Sequence, residues 1–250
     1  VLDADVRGRI TELEHWVLHN HTLMHDWRMA GRLRPGYRAL FHGPPGTGKT
    51  LTATLLGKAT GRDVYRVDLS AVVSKYIGET EKNLSALFDN ARNRDWILFF
   101  DEADALFGKR TTVKDAHDRY ANQEVSYLLQ RVEEFDGLVI LASNFRANID
   151  DAFLRRFNSI IRFPFPDESE REAIWLRTLP AQASRNTLAT DLAGFELSGG
   201  NIVNVVHFAA LAAIAAGQTE IRLCDALQGV EREMEKEGKV FRALIDGDES

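Results

Sequence analysis

Residues 38–50 read Arg-Ala-Leu-Phe-His-Gly-Pro-Pro-Gly-Thr-Gly-Lys-Thr, and this stretch decides the fold. Its apolar first part predicts a strand, and the pattern over residues 50–60 predicts a helix. Between them, residues 43–50 match GxxxxGK[ST], a phosphate-binding spacing that requires this strand-to-helix setting. Glycines let backbone N–H groups turn inward around phosphates, and the helix directs its positive end at them. We therefore expect a nucleotide at Pro45, Gly46, Thr47, Gly48, Lys49, Thr50 and Leu51.

The loop and a later strand together carry the chemistry for a metal-bound nucleotide. Lys49 is expected to reach the β- and γ-phosphates, and the Thr50 hydroxyl is expected to bind Mg²⁺. Residues 97–102, Ile-Leu-Phe-Phe-Asp-Glu, predict a central strand that ends in two acids. There Asp101 should hold the Mg²⁺ shell and Glu102 should activate water as a general base. The expected ligands are ATP and Mg²⁺.

A polar residue follows another apolar strand. Residues 138–143 predict a central strand, and Asn144 comes directly after it. An asparagine at such a strand end is well placed to contact the γ-phosphate and to orient the attacking water. The alternative is an asparagine that only starts a turn.

The chain divides into two parts by its patterning. Up to residue 166, short apolar runs alternate with helical patterns, which predicts a parallel sheet covered by helices. From residue 167 onward only helical patterns occur. We expect a nucleotide-binding core over 1–166, a small helical domain over 167–237 and a flexible tail over 238–250.

Composition limits the classes of partner and location. The net charge is -6 and the sequence pI is about 5.7. That balance argues against nucleic acid as a partner, because nucleic-acid-binding domains are usually strongly basic. The single cysteine, Cys224, excludes an internal disulfide and fits a reducing, cytoplasmic setting. The most apolar run, 202–216, is shorter than the ~20 residues that span a bilayer.

In this order the motifs resemble AAA+ ATPases, specifically the AAA family in the narrow sense, over about residues 1–237. The resemblance implies an α/β fold: a P-loop NTPase αβα sandwich with a five-stranded parallel sheet and a C-terminal helical lid. It also implies rings, usually homo-hexamers, with ATP held between subunits. Residues 43–50 are similar to Walker A, residues 98–102 to Walker B, and Asn144 to sensor 1.

Further site residues come from the same resemblance. Residues 153–157, Phe-Leu-Arg-Arg-Phe, are similar to the family's arginine-finger segment, so Arg155 and Arg156 are expected to act on a neighbouring subunit's ATP in trans. Which of them is the finger stays open, and a surface arginine pair at a helix end is the alternative. Ile174 is expected to line the adenine pocket. Gly200 should lie close to the nucleotide where many AAA+ proteins carry a sensor 2 arginine, or else it forms a capping turn.

The segment Lys75, Tyr76, Ile77 and Gly78 resembles the pore loop of members that thread proteins. An aromatic and aliphatic pair can grip any polypeptide by apolar contact, and glycine lets the loop move. The alternative is that Tyr76 and Ile77 are buried anchors. A second pore loop is expected within residues 108–119, which are rich in charge and could equally be a solvated loop.

The leading functional hypothesis is ATP hydrolysis coupled to remodelling, threading or disassembly of a protein that enters a central pore. A DNA-linked loader or initiator is one alternative, and an ATP-binding scaffold with little turnover is another. Residues 34–38, 120–127 and 142–145 resemble bacterial AAA ATPases found with phage-tail-like contractile injection systems. That narrower resemblance implies a role in assembling, loading or recycling such a particle.

Overall fold

The structure is a computed structural model that describes residues 1–68, 79–104, 126–144 and 154–241. The chain forms two compact units. One comprises Val1–Asp3, Pro45–Thr47 and Pro164–Ser250, and the other comprises Ala4–Pro44 and Gly48–Phe163.

The larger unit contains a parallel sheet, as the sequence predicts. Among the described residues it has five strands in the order β2-β3-β4-β1-β5. All the paired strands run parallel. The strands are β1 (Tyr37–His42), β2 (Val64–Asp68), β3 (Ile97–Asp101), β4 (Leu138–Ser143) and β5 (Ser159–Arg162).

The sheet is covered on both faces, which explains its nearly continuous apolar strands. On one face, Leu98, Phe100 and Leu141 pack with side chains of α3 (Glu79–Asn93) and α4 (described over 126–134). Helix α2 (Lys49–Thr60) contacts β2, β3 and β4, and α1 (Ala4–His25) contacts α2 and β5. Adjacent side chains of a strand point to opposite faces, so both must be apolar.

The strand order determines where polar residues meet. Strand β1 lies between β4 and β5, and β3 lies beside β4. Because the strands are parallel, the carboxyl ends of β1, β3 and β4 lie at one edge of the sheet. The phosphate loop follows β1, Asp101 ends β3 and Asn144 follows β4. A ligand site is therefore expected at this edge.

The smaller unit contains four helices within residues 164–241: α5 (Glu168–Thr178), α6 (Arg185–Ala193), α7 (Gly199–Ala215) and α8 (Leu223–Lys236). They enclose a core of their own around Trp175, which is fully buried. Helix α5 begins with a capping box: Asp167 accepts from the Glu170 N–H at 2.8 Å, and Glu170 accepts from the Asp167 N–H at 3.0 Å. No helix in the described ranges is long and apolar enough to cross a membrane.

Candidate nucleotide-binding site

The loop after β1 has a backbone that favours glycine at three positions. Gly43, Gly46 and Gly48 have φ angles of 149°, 75° and 97°. At Gly43 an added Cβ would lie 2.0 Å from the main-chain oxygen of Phe163, so the loop also passes too close to its neighbour for a side chain. Gly48 is the N-cap residue of α2 and has no side chain to cap this helix, so the first N–H groups of α2 can serve an anion.

Lys49 is buried at the start of α2, with 7% of its surface exposed. Its ammonium donates to the main-chain oxygens of Gly43 at 2.7 Å and Pro44 at 2.9 Å, and to the Asn144 side-chain oxygen at 3.1 Å. Burial lowers the pKa of Lys49, while the nearby negative charges of Asp101 and Asp104 oppose that shift. The site thus presents a desolvated cation beside a loop of backbone donors, a combination suited to phosphate.

The acids at the end of β3 differ in environment. The Asp101 side chain is 18% exposed and forms an ion pair of 2.7 Å with Arg66 of the neighbouring strand β2. Glu102 is exposed and has a φ of 53°, a left-handed conformation that is uncommon outside glycine. Its N–H donates to the Asp101 carboxylate at 3.0 Å. Unusual backbone of this kind is concentrated at functional sites.

Asn144 is held in place by an acid that the sequence analysis did not select. Asp104 accepts from the Asn144 N–H at 3.1 Å and from the Ser143 hydroxyl. Asn144 in turn accepts from Lys49. The only sequence signal for Asp104 is its position two residues after Glu102, at the turn following β3. Arg66 is a second residue that the sequence analysis missed, because its contact with Asp101 depends on strand order.

The donor set fits a nucleotide bound with magnesium. Thr50 lies in the first turn of α2, which contacts β3, the strand that Asp101 ends. A hydroxyl and a carboxylate are the hard oxygen ligands that Mg²⁺ takes in proteins, usually together with substrate phosphates. Thr50 and Asp101 would hold the ion, and Lys49 with the loop amides would hold the phosphates.

The smaller unit brings together three of the other predicted residues. The Gly200 N–H donates to the main-chain oxygen of Gly46 at 3.0 Å. A Cβ on Gly46 would lie 2.3 Å from the Ser198 hydroxyl, and one on Gly199 would lie 3.8 Å from the Ile174 side chain. Gly46, Ile174 and Gly200 therefore lie at one place, around the start of α7.

A polar network that includes the buried residues Ser198 and Glu233 supports the start of α7. Ser198 and Asn201 cap α7 reciprocally: the Asn201 N–H donates to the Ser198 hydroxyl at 3.2 Å, and the Ser198 N–H donates to the Asn201 side-chain oxygen at 3.1 Å. The Asn201 and Asn204 amides donate to Glu233 of α8 at 2.9 and 3.2 Å, and Lys236 also pairs with Glu233. Burial alone would raise the pKa of Glu233, but hydrogen bonds from Lys236, Asn201 and Asn204 lower it overall.

The two arginines before β5 are both exposed, and the structure distinguishes them. Arg156 pairs with Glu133, at the end of α4. Arg155 makes no hydrogen bond or ion pair with the rest of the described chain. Both stay predicted finger residues. The predicted pore-loop residues Lys75, Tyr76, Ile77 and Gly78, and the stretch 108–119, lie outside the described residues.

Comparisons with known proteins identify the family of this chain. Residues 39–165 match the model of the family described as "ATPase family associated with various cellular activities (AAA)". Proteasome-activating nucleotidase 1 of Haloferax volcanii is 34% identical over 84% of this chain and 55% of its own length. Proteasome-activating nucleotidase of Aeropyrum pernix is 36% identical over 83% of this chain and 53% of its own length. ATP-dependent zinc metalloprotease FtsH 3 of Sphaerobacter thermophilus is 33% identical over 87% of this chain and 46% of its own length.

The chain spans about half the length of these curated relatives. None of these three is named for a contractile injection system, so the narrower resemblance in the sequence gains no support from them. The family match, by contrast, covers the phosphate loop, the two acids at the end of β3, Asn144 and both arginines. The chain is therefore a member of the AAA family of ATPases.

Proposed function

We propose that this chain hydrolyses Mg-ATP as a subunit of a ring, and that it uses the energy to remodel, thread or disassemble a protein. The observation that carries the proposal is the meeting of three elements at one edge of the sheet. Lys49 donates to Asn144 and lies near the negative charges of Asp101 and Asp104, and Asp104 also accepts from the Asn144 N–H. This is the arrangement needed to bind a nucleoside triphosphate and act on its terminal phosphate.

Each side chain has a task in this proposal. Lys49 and the loop amides bind and orient the phosphates, and Glu102 takes the proton from the attacking water. Asn144, held by Asp104 and Lys49, orients that water. Magnesium, when bound through Thr50 and Asp101, supplies positive charge that offsets the charge of the phosphates. The exposed position of Glu102 keeps it within reach of water.

A further positive charge at the phosphates comes from a neighbouring subunit in this proposal. Arg155 and Arg156 are both exposed at the surface of the larger unit. In the proposed ring, an arginine of one subunit stabilises charge on the phosphoryl group held by the next. Such arginines raise the rate by about 10³ to 10⁵ in other phosphoryl-transfer systems. Hydrolysis therefore depends on assembly, most simply as a homo-hexamer.

A polypeptide is the substrate class that this proposal favours. The relatives are named for proteasome activation and for ATP-dependent proteolysis, both of which concern proteins. The Tyr76 and Ile77 pair, next to Gly78, supplies apolar contact without sequence preference. The acidic net charge of -6 gives less reason to expect DNA.

A substrate trap tests the proposal. The Glu102→Gln protein should bind ATP without hydrolysing it and should retain its substrate in an assembled ring. Mass spectrometry identifies what co-purifies with ATP present, and the double variant Glu102→Gln, Tyr76→Ala is the matched control. A defined protein that the Tyr76 change releases supports threading. Retention of nucleic acid, or of nothing, by an assembled ATP-bound trap contradicts it.

The same trap tests a narrower hypothesis about the substrate. The resemblance of residues 34–38, 120–127 and 142–145 to ATPases of contractile injection systems favours a protein of such a particle as substrate. Capture of a sheath, tube or baseplate protein would support this hypothesis. Capture of unrelated proteins would leave the general remodelling function and remove the narrower one.

A further inference from the structure

The two adjacent arginines before β5 are not equivalent. Arg156 donates through its guanidinium to the Glu133 carboxylate of its own chain. The side chains of this pair are 48% and 33% exposed. Arg155 is exposed and forms no hydrogen bond or ion pair within the described residues. One arginine of the pair is thus engaged in cis, while its neighbour is available to another molecule.

The main chain at Glu133 is itself held by a buried arginine. Arg38 of β1 is 4% exposed and donates to the Glu133 main-chain oxygen at 2.8 Å. Desolvation lowers the pKa of Arg38, Arg34 adds to that shift, and Glu133 opposes it. An ion pair between two freely moving exposed side chains contributes little. Here, however, a buried guanidinium fixes the main chain that carries the acid.

The arginine segment is also held at both ends. Leu154 and Phe157 pack against the core cluster that contains Phe88 and Phe100. Asn158 accepts from the Arg38 N–H at 2.9 Å, and the Asn158 N–H donates to the Arg38 main-chain oxygen at 2.9 Å. Arg38 therefore connects the segment after the arginines with the end of α4.

We infer that Glu133 is a positioning residue, which holds Arg156 in its own subunit so that Arg155 reaches the neighbouring subunit's ATP. This inference rests on the proposed ring function. Arg156 would have to leave Glu133 before it could contact a phosphate, whereas Arg155 has no such bond to break within the described part of the chain. Arg156 then acts through Arg155, because it fixes the turn that carries Arg155.

Charge reversal separates a positioning role from direct contact with phosphate. If Arg156 positions, Glu133→Arg and Arg156→Glu should each lower kcat at least tenfold with little change in KM for ATP. The double variant Glu133→Arg, Arg156→Glu restores the ion pair and should recover kcat to within about threefold of wild type. Arg155→Lys keeps the charge but not the guanidinium, and it should lose about 10³ in kcat.

Another partly exposed ion pair provides the matched control. Arg92 and Asp136 lie 3.1 Å apart, with 47% and 51% of their side chains exposed, and neither belongs to the proposed machinery. Arg92→Glu should therefore leave kcat and KM near wild type. Sedimentation velocity and ATP binding are measured for every variant, so a loss of assembly or folding is not counted as a loss of kcat.

Two results together would overturn the inference: the double variant is as inactive as Arg156→Glu, and Glu133→Arg alone remains active. Arg156 would then itself contact the phosphate. Full activity of Arg155→Ala would also overturn it. Failure of the ring proposal is recognised separately, since the wild type would then show no ATPase activity, or activity that does not increase on assembly. A mixture of Arg155→Ala with Glu102→Gln protein should exceed the activity of either alone, because each supplies in trans what the other lacks.

Discussion

The Lys49 ammonium donates to the Asn144 side-chain oxygen at 3.1 Å, so the first residue of α2 is joined to the residue that follows β4. Strands β1 and β4 are paired neighbours, which brings the ends of the two motifs together. Asp104 completes the arrangement by accepting from the Asn144 N–H. Lys49, which is assigned to the phosphates, and Asn144, which is assigned to the attacking water, therefore form one hydrogen-bonded unit with Asp104.

Asp104→Ala should slow hydrolysis more than it weakens ATP binding. The change leaves the Asn144 N–H and the Ser143 hydroxyl without their acceptor, so Asn144 loses its orientation. Hydrogen bonds to charged groups contribute about 1.5–3 kcal/mol, which corresponds to a fall in kcat of about 10- to 150-fold if all of it acts in the transition state. Steady-state kcat and the ATP Kd give the two effects. Asp136→Ala removes an exposed acid elsewhere and should change neither. An unchanged kcat for Asp104→Ala would exclude the positioning role.

Arg66→Gln should lower the Mg²⁺ concentration needed for half-maximal ATPase activity. Arg66 pairs with Asp101 at 2.7 Å, so its guanidinium competes with magnesium for that carboxylate. The Arg66 side chain is 63% exposed, and such pairs contribute at most about 1 kcal/mol, which limits the change to about fivefold. A Mg²⁺ titration at fixed ATP measures it. Arg94→Gln, which removes an exposed charge stacked on Trp96, is the control. A higher Mg²⁺ requirement in Arg66→Gln would mean that Arg66 supports the metal site.

Gly43→Ala should destabilise the larger unit and weaken nucleotide binding. The new Cβ would lie 2.0 Å from the Phe163 main-chain oxygen, at a φ of 149°. Backbone strain of this kind costs about 1–3 kcal/mol, and relief of the clash would displace the oxygen that accepts from Lys49. Urea unfolding and ATP binding measure both effects. Gly194→Ala has no heavy atom within 4 Å of the new Cβ and a φ of -64°, so it should be neutral or slightly stabilising. Equal stability of the two variants would show that the loop can move away from Phe163.

Glu233→Gln should destabilise the smaller unit, and acid should have the same effect. Because the folded pKa of Glu233 is lowered, its contribution is complete above the unfolded value of about 4.3 and is lost as pH falls through the lower folded value. At neutral pH the variant should lose about 1–3 kcal/mol, since Lys236 and two amides lose a charged acceptor. Urea unfolding at neutral and acidic pH follows both trends. Glu231→Gln changes an exposed acid of the same helix and serves as the control. If Glu233→Gln costs as much stability in acid as at neutral pH, the lowered pKa of Glu233 would be contradicted.

Local sequence predicts the elements of this site but not all of their contacts. The loop at residues 43–50, the apolar strand ending in Asp101 and the strand before Asn144 each have a short-range pattern with a direct structural meaning. The five-stranded parallel sheet is confirmed. The pairs Arg66 with Asp101, Asp104 with Asn144, and Glu133 with Arg156 join residues of different elements. Those pairs follow from strand order and register, which no local pattern contains.

The dependence of ATPase activity on assembly tests the central claim most directly. Specific activity is measured across protein concentrations, and sedimentation velocity gives the assembled fraction at each concentration. Wild-type specific activity should rise with the assembled fraction, because the arginine comes from a neighbouring subunit. Arg155→Ala should assemble equally and remain about 10³-fold less active at every concentration. A monomeric wild-type protein with the full specific activity of the assembled form would contradict the account.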